Sequence, residues 1–146
     1  MISIKNRDAL AGFQALKALD GNTNDLSFGD DPRKKILLFV LSTTCPHCEK
    51  NLVHWKAIVE KHGNDNNCMI IGLSIHPIGE TITYARDKQL PFYVASVGAD
   101  TSFSRKFKIP GVPETILLTG DGTVEHTWVG ELSEEQTKEI QTLMGA

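Results

Sequence analysis

Two nearly continuous apolar runs stand out along the chain, one within Lys35–Ser42 and the other within Met69–Ile75. Each has the length of a strand, and an uninterrupted run of this kind is typical of a strand covered on both faces. We therefore expect these two segments to be buried strands near the centre of a sheet.

Between the two runs, apolar residues recur at helical spacing. They are Leu52, Trp55, Ile58 and Val59. Pro46 suits the first turn of such a helix, where its missing N–H is not needed, and Thr44 is expected to cap it. Gly63 marks its end. The pattern predicts a helix that begins directly after the first buried strand.

The other predicted elements alternate between strands and helices. They are short strands around Phe13–Leu19 and Leu26–Phe28, a helix over Glu80–Lys88, a strand over Phe92–Val94, a short helix over Thr101–Phe107, a hairpin of Glu114–Thr119 and Thr123–Val129, and a last helix opened by the capping box Ser133–Gln136. Alternation of this kind predicts an α/β fold. We expect one domain over residues 1–146, with a central mixed sheet, helices on both faces, and a terminal β-hairpin plus helix.

Composition narrows the class of protein. The chain has 146 residues, of which 40% are hydrophobic and 23% charged, so it is expected to be soluble and globular. A net charge of -3 gives no indication of a nucleic acid or an anionic membrane as partner. Three cysteines are too few, and an odd number, for a disulfide framework. No apolar run is long enough to span a bilayer.

Cys45-Pro46-His47-Cys48 lies where the first buried strand passes into the helix. At that position Cys45 meets the free N–H groups and the dipole of the helix N-terminus, which should lower its pKa and favour a thiolate. Cys48 is one turn further in and should act as the less exposed, resolving thiol. His47 is expected either to add a donor or a positive charge beside the thiolate or to be a solvated loop residue.

A structural zinc site is the alternative for this cysteine pair. It would need four ligands, and only Cys68 and scattered histidines are left to supply them, so no metal is expected. Cys68 itself is expected to be an inert, packed thiol. His54 and His62 lie further along the predicted helix and are expected at the surface.

Two separated motifs resemble the thioredoxin superfamily. Ser42–Cys48 after an apolar strand is similar to its active site, and Ile109–Leu118 is similar to its cis-proline segment. Helix Glu80–Lys88 and strand Phe92–Val94 resemble the insertion of the TlpA/ResA-like branch, a redoxin or AhpC-TSA-like domain. The resemblance implies a thioredoxin-like fold and a thiol–disulfide oxidoreductase.

The resemblance also assigns residues around the cysteines. It implies a cis bond at Val112-Pro113, with the Val112 backbone pairing with an extended substrate segment and Thr44 on the same substrate-binding surface. Glu80, with His76 as an equal candidate, is implied as an auxiliary group near the site. Glu114, directly after the proline, could face a partner or be solvated.

Two positions depart from thioredoxin itself. Phe39 occupies the place of a buried Asp that helps to move protons, and Thr44 stands where a Trp usually precedes the first cysteine. Both differences argue against a general cytosolic thioredoxin.

The expected function follows from these assignments. We expect a protein-disulfide oxidoreductase with no cofactor beyond the redox-active Cys45–Cys48 disulfide, acting as a monomer. The resemblance implies protein thiols and disulfides as partners, with apocytochromes, copper-site assembly proteins and a membrane electron donor among them. It implies a periplasmic or other extracytoplasmic location, with a signal or anchor outside this sequence; the alternative is the cytoplasm.

The direction of electron flow is left open. A Pro-His dipeptide is that of the oxidase DsbA, and a stabilised thiolate makes the disulfide form more oxidising. The TlpA/ResA-like branch, in contrast, usually reduces its partners.

Two other functions are open alternatives. A copper-binding or metallochaperone module is possible because copper(I) favours thiolates. A thiol peroxidase is the second, since Ser42-Thr43-Thr44-Cys45 is similar to the peroxiredoxin T-x-x-C, without the usual upstream proline.

Overall fold

The structure is a computed structural model and describes residues 13–15, 17–18, 24–26, 34–63, 67–96, 112–120 and 123–145. Its strands are β1 (Phe13–Ala15), β2 (Lys17–Ala18), β3 (Asn24–Leu26), β4 (Lys35–Leu41), β5 (Cys68–Ser74), β6 (Tyr93–Ser96), β7 (Glu114–Thr119) and β8 (Val124–Val129). Its helices are α1 (Pro46–His62), α2 (Ile78–Asp87) and α3 (Glu134–Gly145).

Six strands form a mixed sheet in the order β2-β6-β5-β4-β7-β8. β4 runs parallel to β5, and β5 runs parallel to β6, whereas β7 and β8 add an antiparallel hairpin. β1 and β3 pair separately from this sheet. The residues Ile36–Leu41 of β4 are all buried, as expected for a strand with neighbours on both edges and side chains packed on both faces.

An aromatic cluster fixes α1 against the sheet. The ring of Phe39 stacks on Trp55 with centroids 4.7 Å apart, and Phe92 meets Phe39 edge-on at 5.1 Å. The Trp55 indole N–H also donates to Thr115 Oγ1 on β7, at 3.0 Å. Because Trp55 is thereby held in position and orientation, the N-terminus of α1 is placed at the carboxyl end of β4.

The capping box predicted before the last helix is confirmed. Gln136 N–H donates to Ser133 Oγ and Ser133 N–H donates to Gln136 Oε1, both at 3.0 Å, so the capping box before α3 is formed in both directions. Ile140 and Met144 of α3 join the apolar cluster that α1 covers.

Several expected boundaries move by one or two residues. The second buried strand is Cys68–Ser74, the following helix is Ile78–Asp87, and the next strand is Tyr93–Ser96. In the N-terminal segment the pairing strand ends at Leu26, where a strand beginning at Leu26 was expected. The helix predicted over residues 101–107 lies outside the described residues.

Two sequence expectations are wrong. Thr44 does not cap α1, because Cys45 is the extended N-cap residue and no side chain accepts a capping hydrogen bond there. His62 is buried, not at the surface, since its Nε2 lies 2.9 Å from the carbonyl of Gln141 on α3. Packing of α3 against the end of α1 is what buries it.

Candidate active site

The two cysteines of the motif occupy different environments at the start of α1. Cys45 is half-buried at the N-cap, with extended backbone angles of φ -100° and ψ 114°. Cys48 is fully buried in the core that α1 covers. Both are free thiols, so the structure describes the reduced form. Cys45 is therefore the thiol that an incoming partner can reach first.

The Cys48 thiol resists ionisation. Burial raises its pKa to about 12, although the backbone N–H of Ser42 acts in the opposite direction by hydrogen bonding to the sulfur. Cys45 adds to the rise through a hydrogen bond and through repulsion between the two negative charges. A group with this pKa needs help to become the thiolate that attacks a mixed disulfide.

The segment before β7 faces the first cysteine. The thiol of Cys45 donates to the carbonyl oxygen of Val112 at 3.7 Å, and the Val112-Pro113 peptide bond is cis. Val112 is half-buried and Pro113 buried, and the Pro113 carbonyl accepts the Gly130 N–H at 2.8 Å. The chain on both sides of Pro113 is thus anchored beside Cys45.

His47 is exposed, but it is not free in solvent. Its Nδ1 lies 2.6 Å from Oε1 of Glu131, in the loop between β8 and α3. The hydrogen bond from His47 lowers the pKa of the Glu131 carboxyl, with smaller attractions from Lys50 and His54. The next residue, Leu132, is tied to α1, because its N–H donates to the buried Oδ1 of Asn51 at 2.8 Å.

The two auxiliary candidates lie together. His76 Nδ1 is 3.1 Å from Glu80 Oε2, and the other ring nitrogen, Nε2, is 2.7 Å from Ser42 Oγ. Ser42 Oγ in turn is 3.2 Å from Thr44 Oγ1. His76 and Glu80 therefore reach the loop that leads into the cysteine motif through Ser42.

A shallow groove of about 530 Å³ runs beside this loop. Its walls come from the loop and from α2, and they are formed by Thr43, Thr44, Gly79, Glu80, Thr83, Tyr84 and Asp87. Burial raises the pKa of Tyr84 to about 12, and the negative charges of Cys48, Glu49 and Cys45 add to the rise. The Tyr84 phenol is thus within electrostatic range of both cysteines.

Glu114 is fully buried, which excludes the solvated alternative. Neither carboxyl oxygen has a hydrogen-bond partner, and burial raises the pKa of the group to about 7. It shares a sheet face with Ile116 and Leu118, which are buried in the apolar cluster opposite α1. An acid in such surroundings is still partly protonated near pH 7.

Cys68 lies at the other end of the sheet. It pairs with Lys35 at the start of β4, whereas Cys45 follows the end of that strand. Seven residues of strand separate the two ends, roughly 20 Å. Its thiol donates to the Met144 carbonyl at 3.5 Å, so Cys68 is a packed thiol remote from Cys45 and Cys48.

Within the described ranges, no group of three or more His, Cys, Asp and Glu side chains is placed to hold a metal ion. None of the helices in that part of the chain is long and apolar enough to cross a membrane.

Three residues of the site had no distinct signal in the sequence. Ser42 is predicted only as the first residue of the motif that resembles an active site, and Tyr84 belongs to an ordinary helix with no predicted role. Glu131 meets His47 across 84 residues of chain. A pattern read along the sequence has no information on such a separation.

The chain is similar to proteins of known family. The model of the AhpC/TSA family matches residues 8–127. Sporulation thiol-disulfide oxidoreductase A of Bacillus subtilis (strain 168) is 26% identical over 129 residues, which are 85% of this chain and 74% of that protein.

Solved structures show the same fold. The thioredoxin domain of a thiol-disulfide oxidoreductase from Bacteroides vulgatus superposes with a TM-score of 0.79 at 16% identity, covering 97% of this chain and 99% of that one. A thiol-disulfide oxidoreductase from Bacteroides fragilis NCTC 9343 superposes with a TM-score of 0.76 at 18% identity, covering 93% and 99%. The expected thioredoxin-like fold is confirmed.

Proposed function

This chain belongs to the AhpC/TSA family of thioredoxin-like proteins, and from that premise we propose that it is an oxidoreductase that exchanges disulfides with protein partners through Cys45 and Cys48. The observation that supports this proposal most strongly is that the two thiols lie in different environments. Cys45 is half-buried against the Val112 carbonyl, and Cys48 is sealed in the core beside it.

The proposed reaction has two exchange steps. The Cys45 thiolate attacks a disulfide of the partner, forming a mixed disulfide and releasing one partner thiolate, which takes up a proton. The Cys48 thiol then loses its proton and attacks Cys45 Sγ, forming the Cys45–Cys48 bond and releasing the second partner thiolate. The partner gains two electrons and the cysteine pair loses two; the reverse sequence oxidises a dithiol partner.

Surrounding residues support this assignment. The Val112 backbone lies at Cys45, where an extended partner segment can pair with it, and Thr44 is exposed on the adjoining groove. The His47 ring lies between the two cysteines in the sequence, and its hydrogen bond with Glu131 holds it in place. Pro46 opens α1 and so keeps Cys45 at the N-cap.

The direct test is insulin reduction with dithiothreitol as electron source. Wild-type protein should accelerate it, Cys45→Ser should not, and Cys68→Ser should match wild type, because Cys68 lies at the far end of the sheet. Equal activity in Cys45→Ser and wild type would overturn the proposal. Reduction potential then decides the direction: a low value assigns a reductase and a high value an oxidase.

Thiol peroxidation is the second candidate, favoured by the match to the AhpC/TSA model. Cys45 would attack a peroxide, breaking its O–O bond and releasing water or an alcohol to leave a sulfenic acid. Cys48 would then condense with the sulfenic acid, forming the Cys45–Cys48 disulfide and releasing water. Stopped-flow fluorescence with hydrogen peroxide separates the two functions. Fast peroxide consumption that is lost in Cys45→Ser, without insulin reduction, would assign the peroxidase.

We propose that the partners are protein thiols and disulfides and that the protein acts in an extracytoplasmic compartment. Both proposals follow from the resemblance to the TlpA/ResA-like branch. Apocytochromes are the first partner class to try. Cys48→Ser cannot resolve a mixed disulfide, so it should form a covalent adduct with oxidised apocytochrome c that dithiothreitol releases. Absence of an adduct, while insulin is still trapped, would exclude this partner class and leave the exchange activity intact.

A further inference from the structure

The loop that leaves β8, residues 130–132, joins the two sides of the site. Its first N–H, from Gly130, donates to the Pro113 carbonyl at 2.8 Å. Its last N–H, from Leu132, donates to Asn51 Oδ1 on α1 at 2.8 Å. The 130–132 loop therefore contacts the cis-proline segment at one end and α1 at the other.

The path of this loop is fixed residue by residue. Gly130 has a φ of 91°, a conformation that favours glycine, and it turns the chain out of β8. The side chain of Leu132 is buried in the apolar cluster that also contains Cys48. Between them, the Glu131 carboxylate lies 2.6 Å from His47 Nδ1. Each residue of the loop thus has its own anchor in the site.

Asn51 is an unusual residue for its position in α1. It lies three residues after Cys48 on the buried side of the helix and is 0% exposed. Its Oδ1 accepts the Leu132 N–H, but its Nδ2 is buried without a hydrogen-bond partner. Burying an amide donor without a partner lowers stability, and exceptions of this kind are concentrated at functional sites.

The other end of the loop bears on the gap that a partner must enter. The Cys45 thiol lies 3.7 Å from the Val112 carbonyl oxygen, and a cis bond joins Val112 to Pro113. The ladder between β7 and β8 begins at Glu114, and the Gly130 N–H extends it by one hydrogen bond to Pro113. The place of Gly130 therefore helps to set how far the cis-proline segment stands from Cys45.

We propose that Asn51 is a positioning residue for partner binding. By holding the Leu132 N–H, it keeps the 130–132 loop in place. The loop in turn keeps the Val112-Pro113 segment at the distance from Cys45 that an extended partner segment requires. This inference rests on the proposed disulfide exchange, and it concerns the binding of the partner, not the reactivity of the thiols.

Two disulfide substrates of different size separate binding from reactivity. Insulin presents its disulfide within a peptide chain, whereas Ellman's reagent is a small molecule with no peptide backbone to pair. In Asn51→Leu, insulin reduction at saturating dithiothreitol should show a KM about tenfold higher, the equivalent of one hydrogen bond, with kcat within about twofold. The rate at which Cys45 releases the first thionitrobenzoate from Ellman's reagent should stay within about twofold of wild type.

A conservative variant tests the role of the Asn51 side-chain oxygen. Asn51→Asp keeps an acceptor for the Leu132 N–H and removes only the donor that has no partner. Its KM for insulin should therefore stay within about threefold of wild type. An Asn51→Asp variant that behaves like Asn51→Leu would overturn the role assigned to this oxygen.

Gly130→Ala tests the other end of the loop. No atom lies within 4 Å of an added Cβ, so the variant has room for the methyl group. A φ of 91° is strained for alanine, however, and relaxation of the strain should move the N–H away from Pro113. The variant should raise the KM for insulin in the same way as Asn51→Leu. Hydrogen exchange at the residue 130 amide should become faster in both variants.

The outcomes are distinct. Asn67→Ala, at an exposed asparagine before β5, is the matched control and should keep the wild-type KM. An insulin KM that is unchanged in Asn51→Leu or in Gly130→Ala overturns the inference. An equal loss of rate with Ellman's reagent does so too, because Cys45 itself would then be disturbed. If Asn51→Leu does not fold, Gly130→Ala alone decides. Wild-type protein that does not reduce insulin overturns the proposed function instead.

Discussion

His47 Nδ1 and Glu131 Oε1 lie 2.6 Å apart, which joins the C-P-H-C motif to the loop before α3. The His47 ring is therefore held by a carboxylate that lies 84 residues further along the chain.

This pair predicts how Glu131 titrates. In His47→Ala the pKa of the Glu131 carboxyl should rise toward its ordinary value, because the hydrogen bond from His47 is the largest cause of its lowering. Part of the lowering should remain, since Lys50 and His54 also attract the carboxylate. Carboxyl-carbon chemical shifts followed by NMR measure the midpoint. His126→Ala, on β8, is the control, and an unmoved Glu131 midpoint in His47→Ala would contradict the pairing.

Buried Glu114 predicts a loss of stability on raising the pH. Its pKa is about 7 in the folded protein and about 4.3 when unfolded. The unfolded chain thus releases this proton at lower pH than the folded one. The part of the free energy of unfolding that depends on Glu114 is therefore highest below about pH 4. It falls as the pH rises from there to about 7.

Glu114→Gln should remove that dependence. The variant should gain on wild type in free energy of unfolding between about pH 5 and about pH 8.5, by at most about 3 kcal/mol. Urea unfolding at both pH values measures the gain. Glu60→Gln, at an exposed carboxylate on α1, should show no such difference. Equal gains in the two variants would mean that Glu114 ionises freely in the folded protein.

Gly72 on β5 lies under the ring of Phe92. A Cβ at this position would be 2.7 Å from Phe92 Cε2, so Gly72→Ala must displace the ring and disturb its edge-on contact with Phe39. We expect a loss of about 1–3 kcal/mol in the free energy of unfolding. Gly79→Ala is the matched control, because no atom lies within 4 Å of its added Cβ and alanine favours helix. A neutral Gly72→Ala would show that the ring has room to move.

The hydrogen bond from the Trp55 indole to Thr115 predicts that an almost isosteric substitution of Thr115 lowers the stability of the protein. Thr115→Val leaves the Trp55 indole N–H buried without an acceptor, which should lower the free energy of unfolding by about 1–3 kcal/mol. Thr127→Val, half-buried on the neighbouring strand β8, is the control. Urea midpoints followed by tryptophan fluorescence compare them, and equal midpoints would show that the bond adds nothing.

The sequence by itself determined the elements whose cause is local. Continuous apolar runs predicted β4 and β5, helical spacing predicted α1, and Ser133 with Gln136 predicted the cap of α3. It also placed Cys45 and Cys48 at the strand-to-helix junction. Each of these depends on neighbours within about one turn of helix or one strand, which a linear pattern contains.

Tertiary structure alone decided the partners and the burial of single polar groups. Ser42 meets His76 across 34 residues, and His47 meets Glu131 across 84. Glu114 and His62 are buried because of what packs over their faces, not because of their own residue type. Long-range contacts and desolvation arise only when the sheet assembles, and they determine how readily Cys48 becomes a thiolate.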